Sequence, residues 1–282
     1  WVVLAISQSA LSHAIASLED DLGVSLFDRE GRRIFLNAAG SLLLERGERL
    51  LREKQELEEQ IRSQSGEMHG TIRLAAPIAI NSYFLGPVWA KVATSHPLLR
   101  AEISSLRSIE IVPKAISGEI DYGVCFGPQA HPLLAGTLLA NRKLLVVVHR
   151  RISNKFKNPA SEVAKGLSLM PASLPRGLLG FGQGETHPFF ERHKIRPNVA
   201  LLYDNYDVAL SFVEATSSWA LLPDWIAEHY SENFRTIASD VLFESLEISG
   251  VRAKNRLVSP IKKIVETELI SSLQISLKRS KK

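Results

Sequence analysis

Ser7-Gln8-Ser9-Ala10-Leu11-Ser12-His13-Ala14-Ile15-Ala16-Ser17-Leu18-Glu19-Asp20-Asp21-Leu22-Gly23 is the stretch on which the fold turns. Leu11, Ile15, Leu18 and Leu22 recur at i, i+4, i+7 and i+11, which lays one apolar stripe along a helix of about four turns. Ser7 stands at the N-cap, where a hydroxyl accepts a hydrogen bond from an orphan amide. Gly23 is the C-terminal stop. Val24, Leu26 and Phe27 give a short apolar return, Arg29-Glu30-Gly31-Arg32-Arg33 a turn with three arginines, and Ile34-Phe35-Leu36 a short strand. The pattern predicts a helix followed by a hairpin with a basic tip.

Working outward, residues 38–63 hold no proline and are rich in Leu, Glu, Arg and Gln, all good helix formers. Leu43, Leu50 and Leu57 are seven apart, with Leu44 and Leu51 beside them and Ile61 closing the stripe. That spacing predicts a short coiled-coil or helix-pair seam. Gly47 and Lys54 are poor seam residues, so a long supercoil is not expected. Ser63-Gln64-Ser65-Gly66 reads as a linker.

From Thr71 the texture changes to alternating strand and helix, which predicts α/β layers with a largely parallel sheet. Strands are expected at 71–75, 101–106, 121–126, 144–148, 167–170, 199–203, 219–222 and 246–251. Helices are expected at 83–93, 109–116, 208–215 and 260–277. No fixed-period repeat or low-complexity tract interrupts the chain.

Composition bounds the function. The chain has 282 residues, 45% apolar and 23% charged, ordinary for a globular protein and long enough for two or three domains. Its single cysteine, Cys125, excludes an internal disulfide framework and a cysteine-only zinc site. No apolar run reaches the ~18 residues of a membrane span. The opening Trp1 to Ile6 is too short for a signal peptide and lacks a basic leader, so the expected compartment is the cytoplasm. The net charge of +4 is unevenly spread: residues 1–65 are net −3 and residues 250–282 net +7. The run from Lys278 to Lys282 reads as a solvated tail.

These residues resemble the DNA-binding head of the LysR-type transcriptional regulators. The resemblance runs from Leu4 through Ser7-Gln8, Ala10-Leu11-Ser12, Ile15, Leu18-Glu19, Leu22-Gly23, Leu26-Phe27, Arg29, Gly31-Arg32-Arg33, Leu36 and Ala39-Gly40. About twenty positions fall in register, with Asn37 in place of the usual Thr. It continues weakly in Gly118-Glu119-Ile120-Asp121, Ala220-Leu221-Leu222-Pro223 and Arg256 with Ser259-Pro260. The family head carries another helix and most of the next before the position of Leu4, and Trp1 stands where a small alanine is usual. The resemblance therefore implies an N-terminally truncated copy.

The implied architecture is α/β, with a partial winged helix-turn-helix head (1–40), a dimerising linker helix (41–66) and a two-subdomain effector module like periplasmic binding proteins (71–282). Subdomain I would be 71–141 plus 246–282, and subdomain II 142–245. The implied function is a DNA-binding transcriptional regulator answering to a small-molecule effector, not an enzyme. Its implied partners are double-stranded DNA, that effector, itself as a dimer or tetramer through Leu43, Leu50 and Leu57, and RNA polymerase. No cofactor, metal or membrane is implied. A solute-binding protein of the same two-subdomain fold is the alternative, and would need an export signal and no DNA head.

The physics of the head agrees. The N-terminal turn of a recognition helix enters the major groove. Gln8 can pair bidentately with adenine, and Ser9, Ser12 and His13 can reach bases or phosphates. Arg29, Arg32 and Arg33 place positive charge where phosphates would pass, with the Glu19-Asp20-Asp21 cluster at the far end of the helix. A net-negative head can bind DNA because its charge is segregated.

In the effector module, ligands of such folds sit between subdomains at strand ends. The resemblance places pocket loops at 77–81, 106–108, 125–126, 173–175, 205–206 and 216–219. The candidate contacts are Pro77, Ala79, Asn81, Ser108, Cys125, Phe126, Ser173, Asn205, Thr216 and Trp219. The apolar first loop suggests a less polar effector, with any carboxylate held by Ser108 and backbone amides at a helix start. Cys125 lies in an apolar strand and reads as a small buried residue, otherwise as a pocket wall. Gly180-Phe181-Gly182-Gln183-Gly184 does not fit G-x-G-x-x-G and reads as a loop. His187 and His193 are six apart, wrong for one helix face, and no catalytic constellation is legible.

Overall fold

The computed structural model describes residues 7–31, 33–63, 70–156, 160–175, 188–238, 241–254 and 260–279. The chain divides into two compact units, Trp1–Gln64 and Ser65–Lys282.

In the first unit, helix α1 spans Gln8–Leu22, strands β1 and β2 span Phe27–Glu30 and Arg33–Leu36, and helix α2 spans Ala38–Ser63. Ser7 Oγ accepts the Ala10 N–H at 3.2 Å, and Gly23 closes α1 at φ 68°. β1 and β2 pair antiparallel from Phe27↔Leu36 to Glu30↔Arg33. Asn37 starts the next helix: its Oδ1 accepts the Gly40 N–H at 2.9 Å while its Nδ2 donates to Ser25 O at 2.8 Å. It thus does the capping work of a Thr and ties the turn before β1 to α2. A Cβ at Gly40 would stand 2.1 Å from Leu26 O, so only glycine fits there. The Leu11, Leu18 and Leu22 stripe stays 40–47% exposed.

The second unit carries strands β3 (Gly70–Ala76), β4 (Leu99–Ser105), β5 (Tyr122–Phe126), β6 (Leu134–His149), β7 (Pro171–Pro175), β8 (Asn198–Tyr203), β9 (Trp219–Pro223), β10 (Phe234–Thr236) and β11 (Phe243–Ala253). Its helices are α3 (Ile78–Ile80), α4 (Gly86–Ser95), α5 (Ser108–Ser117), α6 (Ala160–Ser168), α7 (Pro188–Arg192), α8 (Tyr206–Ala215), α9 (Asp224–His229) and α10 (Pro260–Arg279). A π-turn, Asn81–Leu85, joins α3 to α4, where one longer helix was expected.

The sheet runs β4-β3-β5-β11-β6-β9-β7-β8, with β10 on β6. Its two ends are parallel: β4-β3-β5 at one, β9-β7-β8 at the other. Its centre is antiparallel, because β6 and β11 pair with each other along their length and carry the chain across. A largely parallel sheet is therefore an incomplete description. The subdomain boundaries read from sequence fall inside these two strands, at Arg142 and Leu246, which are partners in the ladder. The register slips once, between Ile248 and Ser249. Next to that slip, a Cβ at Gly250 would stand 1.7 Å from Tyr122 Oη, so the crossing requires glycine.

One local expectation fails for a physical reason. Residues 167–170 are not a strand; Val163, Ala164 and Leu167 bury one face of α6 and Leu169 is left 85% exposed. β7 begins at Pro171, a position where the missing N–H costs little. The core contains Trp219, Phe189, Phe190, Leu174 and Leu221, with Leu269, Leu273 and Leu277 of α10 packed in at four-residue spacing.

Candidate functional site

In the first unit, Gln8, Ser9, Ser12 and His13 are all exposed on the opening turns of α1. The four leading N–H groups of a helix carry partial positive charge, and this turn holds no acidic residue. Arg29 and Arg33 are exposed on the hairpin, and Gly31 makes its turn at φ 63°. Arg32 lies outside the described residues. Along α2, Leu50 and Leu57 are exposed and Leu43 half-buried, while Arg49–Glu53, Glu48–Arg52 and Lys54–Glu58 form i,i+4 ion pairs.

In the second unit, strand ends from both parallel groups open on one cleft of about 700 Å³. Pro77 and Ile78 follow β3, residues 105–108 follow β4, and residues 126–128 follow β5. Pro175 ends β7, and residues 203–206 join β8 to α8. Asn141 and Leu144 of β6 and residues 244–247 of β11 form the remaining wall. Four of the sequence-predicted contacts, Pro77, Ser108, Phe126 and Asn205, therefore share this cleft.

The other six stand elsewhere. Ala79 is buried in the core. Asn81 Nδ2 donates to Ala76 O, Ser104 O and Ser105 Oγ within 3.1 Å, so it fastens the ends of β3 and β4. Cys125 is fully buried among Ala75, Ile111 and Ala115, and burial pushes its thiol up to about 12. Ser173 lies buried in the middle of β7. Trp219 is buried, with Nε1 donating to Leu167 O at 2.9 Å. Thr216 ends α8, about 15 Å along that helix from Asn205 at its start. Thr216 precedes β9 and Trp219 is its first residue, so both sit at the entry end of a parallel strand, whereas the cleft lies at the exit ends.

Ser108 Oγ accepts the Phe126 N–H at 2.9 Å, linking α5 to the end of β5. At the start of α5, Arg107 N and Nε both donate to Glu110 Oε2, at 3.0 and 2.9 Å. The guanidinium hydrogen bond, then the backbone one, holds the Glu110 carboxyl below the usual carboxylate range. Asn205 Oδ1 caps α8 by accepting the Asp207 N–H at 2.8 Å. Arg107 falls in the expected 106–108 loop, though it was not singled out there, whereas sequence reasoning missed Glu110, Asp204, Glu244 and Glu247 as lining groups. The two on β11 reach the cleft only through that strand's long pairing with β6. His193 is half-buried beside Phe189, and burial holds its imidazole below the usual range. His187 and residues 180–184 lie outside the described residues. Among the described residues no group of His, Cys, Asp and Glu could hold a metal ion, and no helix is long and apolar enough to cross a membrane.

A capped helix with a basic hairpin, carried on the same chain as a cleft between two α/β lobes, belongs to the bacterial helix-turn-helix regulatory proteins. Residues 3–41 match the family model for the bacterial regulatory helix-turn-helix protein, lysR family. Residues 65–260 match the LysR substrate binding domain. The chain is a member of the LysR family. It is 39% identical over 127 residues to the uncharacterized HTH-type transcriptional regulator YeiE of Escherichia coli (strain K12), covering 45% of this chain and 42% of that protein. It is 23% identical over 231 residues to the HTH-type transcriptional activator IlvY of Salmonella typhimurium, covering 82% and 78%. The crystal structure of full-length CbnR complexed with its target DNA shares the fold, with TM-score 0.68, 23% identity, and 96% and 91% of the two chains covered.

Proposed function

We propose that this chain is a DNA-binding transcriptional regulator, working in the cytoplasm as a dimer or tetramer, whose DNA-bound state is set by a small molecule in the cleft. The observation that carries the reading is the exposed polar turn of α1 beside the basic hairpin, on a chain that also holds the two-lobed cleft. Gln8, Ser9, Ser12 and His13 read base edges, and Arg29, Arg32 and Arg33 hold phosphates. Pro77, Ser108, Phe126 and Asn205 touch the effector. Ala79, Asn81, Cys125, Ser173, Thr216 and Trp219 support the cleft from behind. RNA polymerase is the onward partner. The CbnR structure shows that protein on its target DNA, which supports the first of these roles.

The test is fluorescence anisotropy on duplexes tiled across the DNA upstream of the encoding gene. Gln8→Ala is expected to lose preference among duplexes while keeping general affinity. Arg33→Ala is expected to weaken binding to every duplex and to flatten the salt dependence by about one unit of slope. Equal affinity for all upstream and unrelated duplexes overturns the proposal.

A further inference from the structure

Phe126 stands at the end of β5, half-buried, and lines the cleft. Behind it the Trp225 ring of α9 stacks at 6.4 Å between centroids and 30° between planes. Trp225 is 3% exposed and meets two further groups, Phe84 edge-on at 5.4 Å and the Arg142 guanidinium at 5.5 Å. Groups from β5, α9 and β6 thus form one stack whose outer member is a ring in the cleft wall. The two inner members are buried, so the Phe126 ring is braced before any ligand arrives and has little freedom left to lose on binding. Pro77, Ile78, Leu106, Leu144 and Leu246 continue the wall as apolar surface.

The charged groups of the same wall face partners within the chain. Arg107 Nε donates to Glu110 at 2.9 Å. Glu244 accepts the Ser245 N–H at 3.1 Å through one oxygen and faces Arg192 at 3.5 Å through the other. Glu247 accepts from Ser249 Oγ at 2.8 Å, and Asp204 is engaged as well. Both helix starts are filled too, α5 by Glu110 and α8 by Asn205. An incoming carboxylate would have to displace an internal acceptor at either helix start, which removes the grip that Ser108 and the apolar first loop suggested from sequence. An incoming ammonium would have to compete with donors the carboxylates already hold. Asn141, exposed on β6, brings a neutral amide to the cleft instead.

We infer that the cleft takes an uncharged aromatic ring laid against Phe126, with a hydroxyl or carbonyl group turned toward Asn141. The inference rests on the reading of the cleft as the effector site.

The experiment is calorimetry and thermal shift on the whole chain with four matched probes: benzamide, its saturated counterpart cyclohexanecarboxamide, benzoate and benzylamine. Benzamide is expected to bind tightest and to raise Tm, with the saturated amide about fivefold weaker for want of ring stacking. Phe126→Leu is expected to erase the difference between the two amides, and Phe126→Tyr to keep it, with circular dichroism unchanged in both. Asn141→Ala is expected to weaken both amides alike. Leu106→Trp, which fills the cleft, is expected to abolish binding. Equal binding of the two amides to the wild-type chain overturns the ring. Benzoate or benzylamine binding tighter than benzamide, and lost in Leu106→Trp, overturns the uncharged class and leaves the effector cleft standing. Binding that survives Leu106→Trp places the ligand elsewhere and overturns both readings. Four probes that all leave Tm and heat unmoved overturn the inference.

Discussion

Arg142 donates from Nε to Asp224 Oδ1 at 2.8 Å, joining the middle of β6 to the start of α9. The same guanidinium donates from Nη1 to Leu277 O at 2.6 Å and lies 5.5 Å from the centre of the Trp225 ring. Arg142 is only 8% exposed. One buried side chain thus fastens the crossing strand, a helix of the second lobe and the last turns of α10. Its place opposite Leu246 in the ladder puts it where the two lobes meet.

Arg142→Leu removes the guanidinium from Asp224, which keeps only the N–H groups of Lys143 and Trp225, and takes the Nη1 donor from Leu277 O. Breaking a buried pair from one side costs about 3–5 kcal/mol. We expect the urea midpoint to fall by the corresponding amount. Arg142→Leu combined with Asp224→Leu should recover a substantial part of the loss, since it removes the uncompensated charge. A double variant as unstable as Arg142→Leu alone would show that the carbonyl and ring contacts, not the ion pair, hold this junction.

Tyr122 and Tyr203 offer a matched comparison. Tyr203 Oη donates to Leu221 O at 2.6 Å, whereas Tyr122 Oη is buried with no hydrogen bond among the described residues. Removing a satisfied hydroxyl loses its bond and orphans the carbonyl, and removing an unsatisfied one relieves a desolvation cost. Tyr203→Phe should destabilise by about 1–2 kcal/mol. Tyr122→Phe should be neutral or stabilising by about 1 kcal/mol. Equal losses in chemical denaturation would sink the comparison.

The thiol of Cys125 is pushed up to about 12 by burial, and burial also raises Tyr122, Tyr203 and Tyr206 above the usual phenol range. Each of these groups is neutral when protonated, and the fold favours that form. Their contribution is therefore fully present below the unfolded-state value and is lost as pH rises toward the folded one. For the thiol the loss begins near pH ~8.5, and for the phenols near pH ~10. The urea midpoint should fall steadily above pH 9, and Cys125→Ala should delay the onset of that fall. The native thiol should also resist an aromatic disulfide reagent at pH 8 and react once urea unfolds the chain.

What was legible in sequence was what local chemistry determines. Ser7, Gly23 and the leucine stripe define α1 within one stretch, and Gly31 between arginines defines the hairpin. Val199, Leu201 and Tyr203 lie in one strand without reference to anything distant. The crossing was not legible, because β6 and β11 pair residues about a hundred positions apart and no local pattern encodes that partnership. The miss at Glu244 and Glu247 follows directly. So does the misplacement of Thr216 and Trp219, whose apolar run identifies a strand but not which of its ends faces the cleft. Asn81 was misread for a different reason: an amide in a pocket loop looks available until its acceptors on β3 and β4 are seen.

The last prediction concerns α2, a 26-residue helix whose Leu50 and Leu57 are 66% and 57% exposed. Leucines left in water at seven-residue spacing gain about 1.5–3 kcal/mol each when fully covered. A second α2 laid alongside covers them at the crossing angle that heptads favour. Gly47 and Lys54 interrupt the complementary row, so the seam is short and its two ends carry the affinity. Leu50→Glu places a carboxylate at the centre of the seam in both copies, where like charges would meet with little water. By light scattering after size exclusion, this variant should shift toward half the wild-type mass at low micromolar concentration. Glu45→Gln, an exposed change on the same helix, should leave the mass as it was. If Leu50→Glu keeps both the wild-type mass and its affinity for DNA, α2 is not the dimer contact, and copies of the chain must meet through another surface.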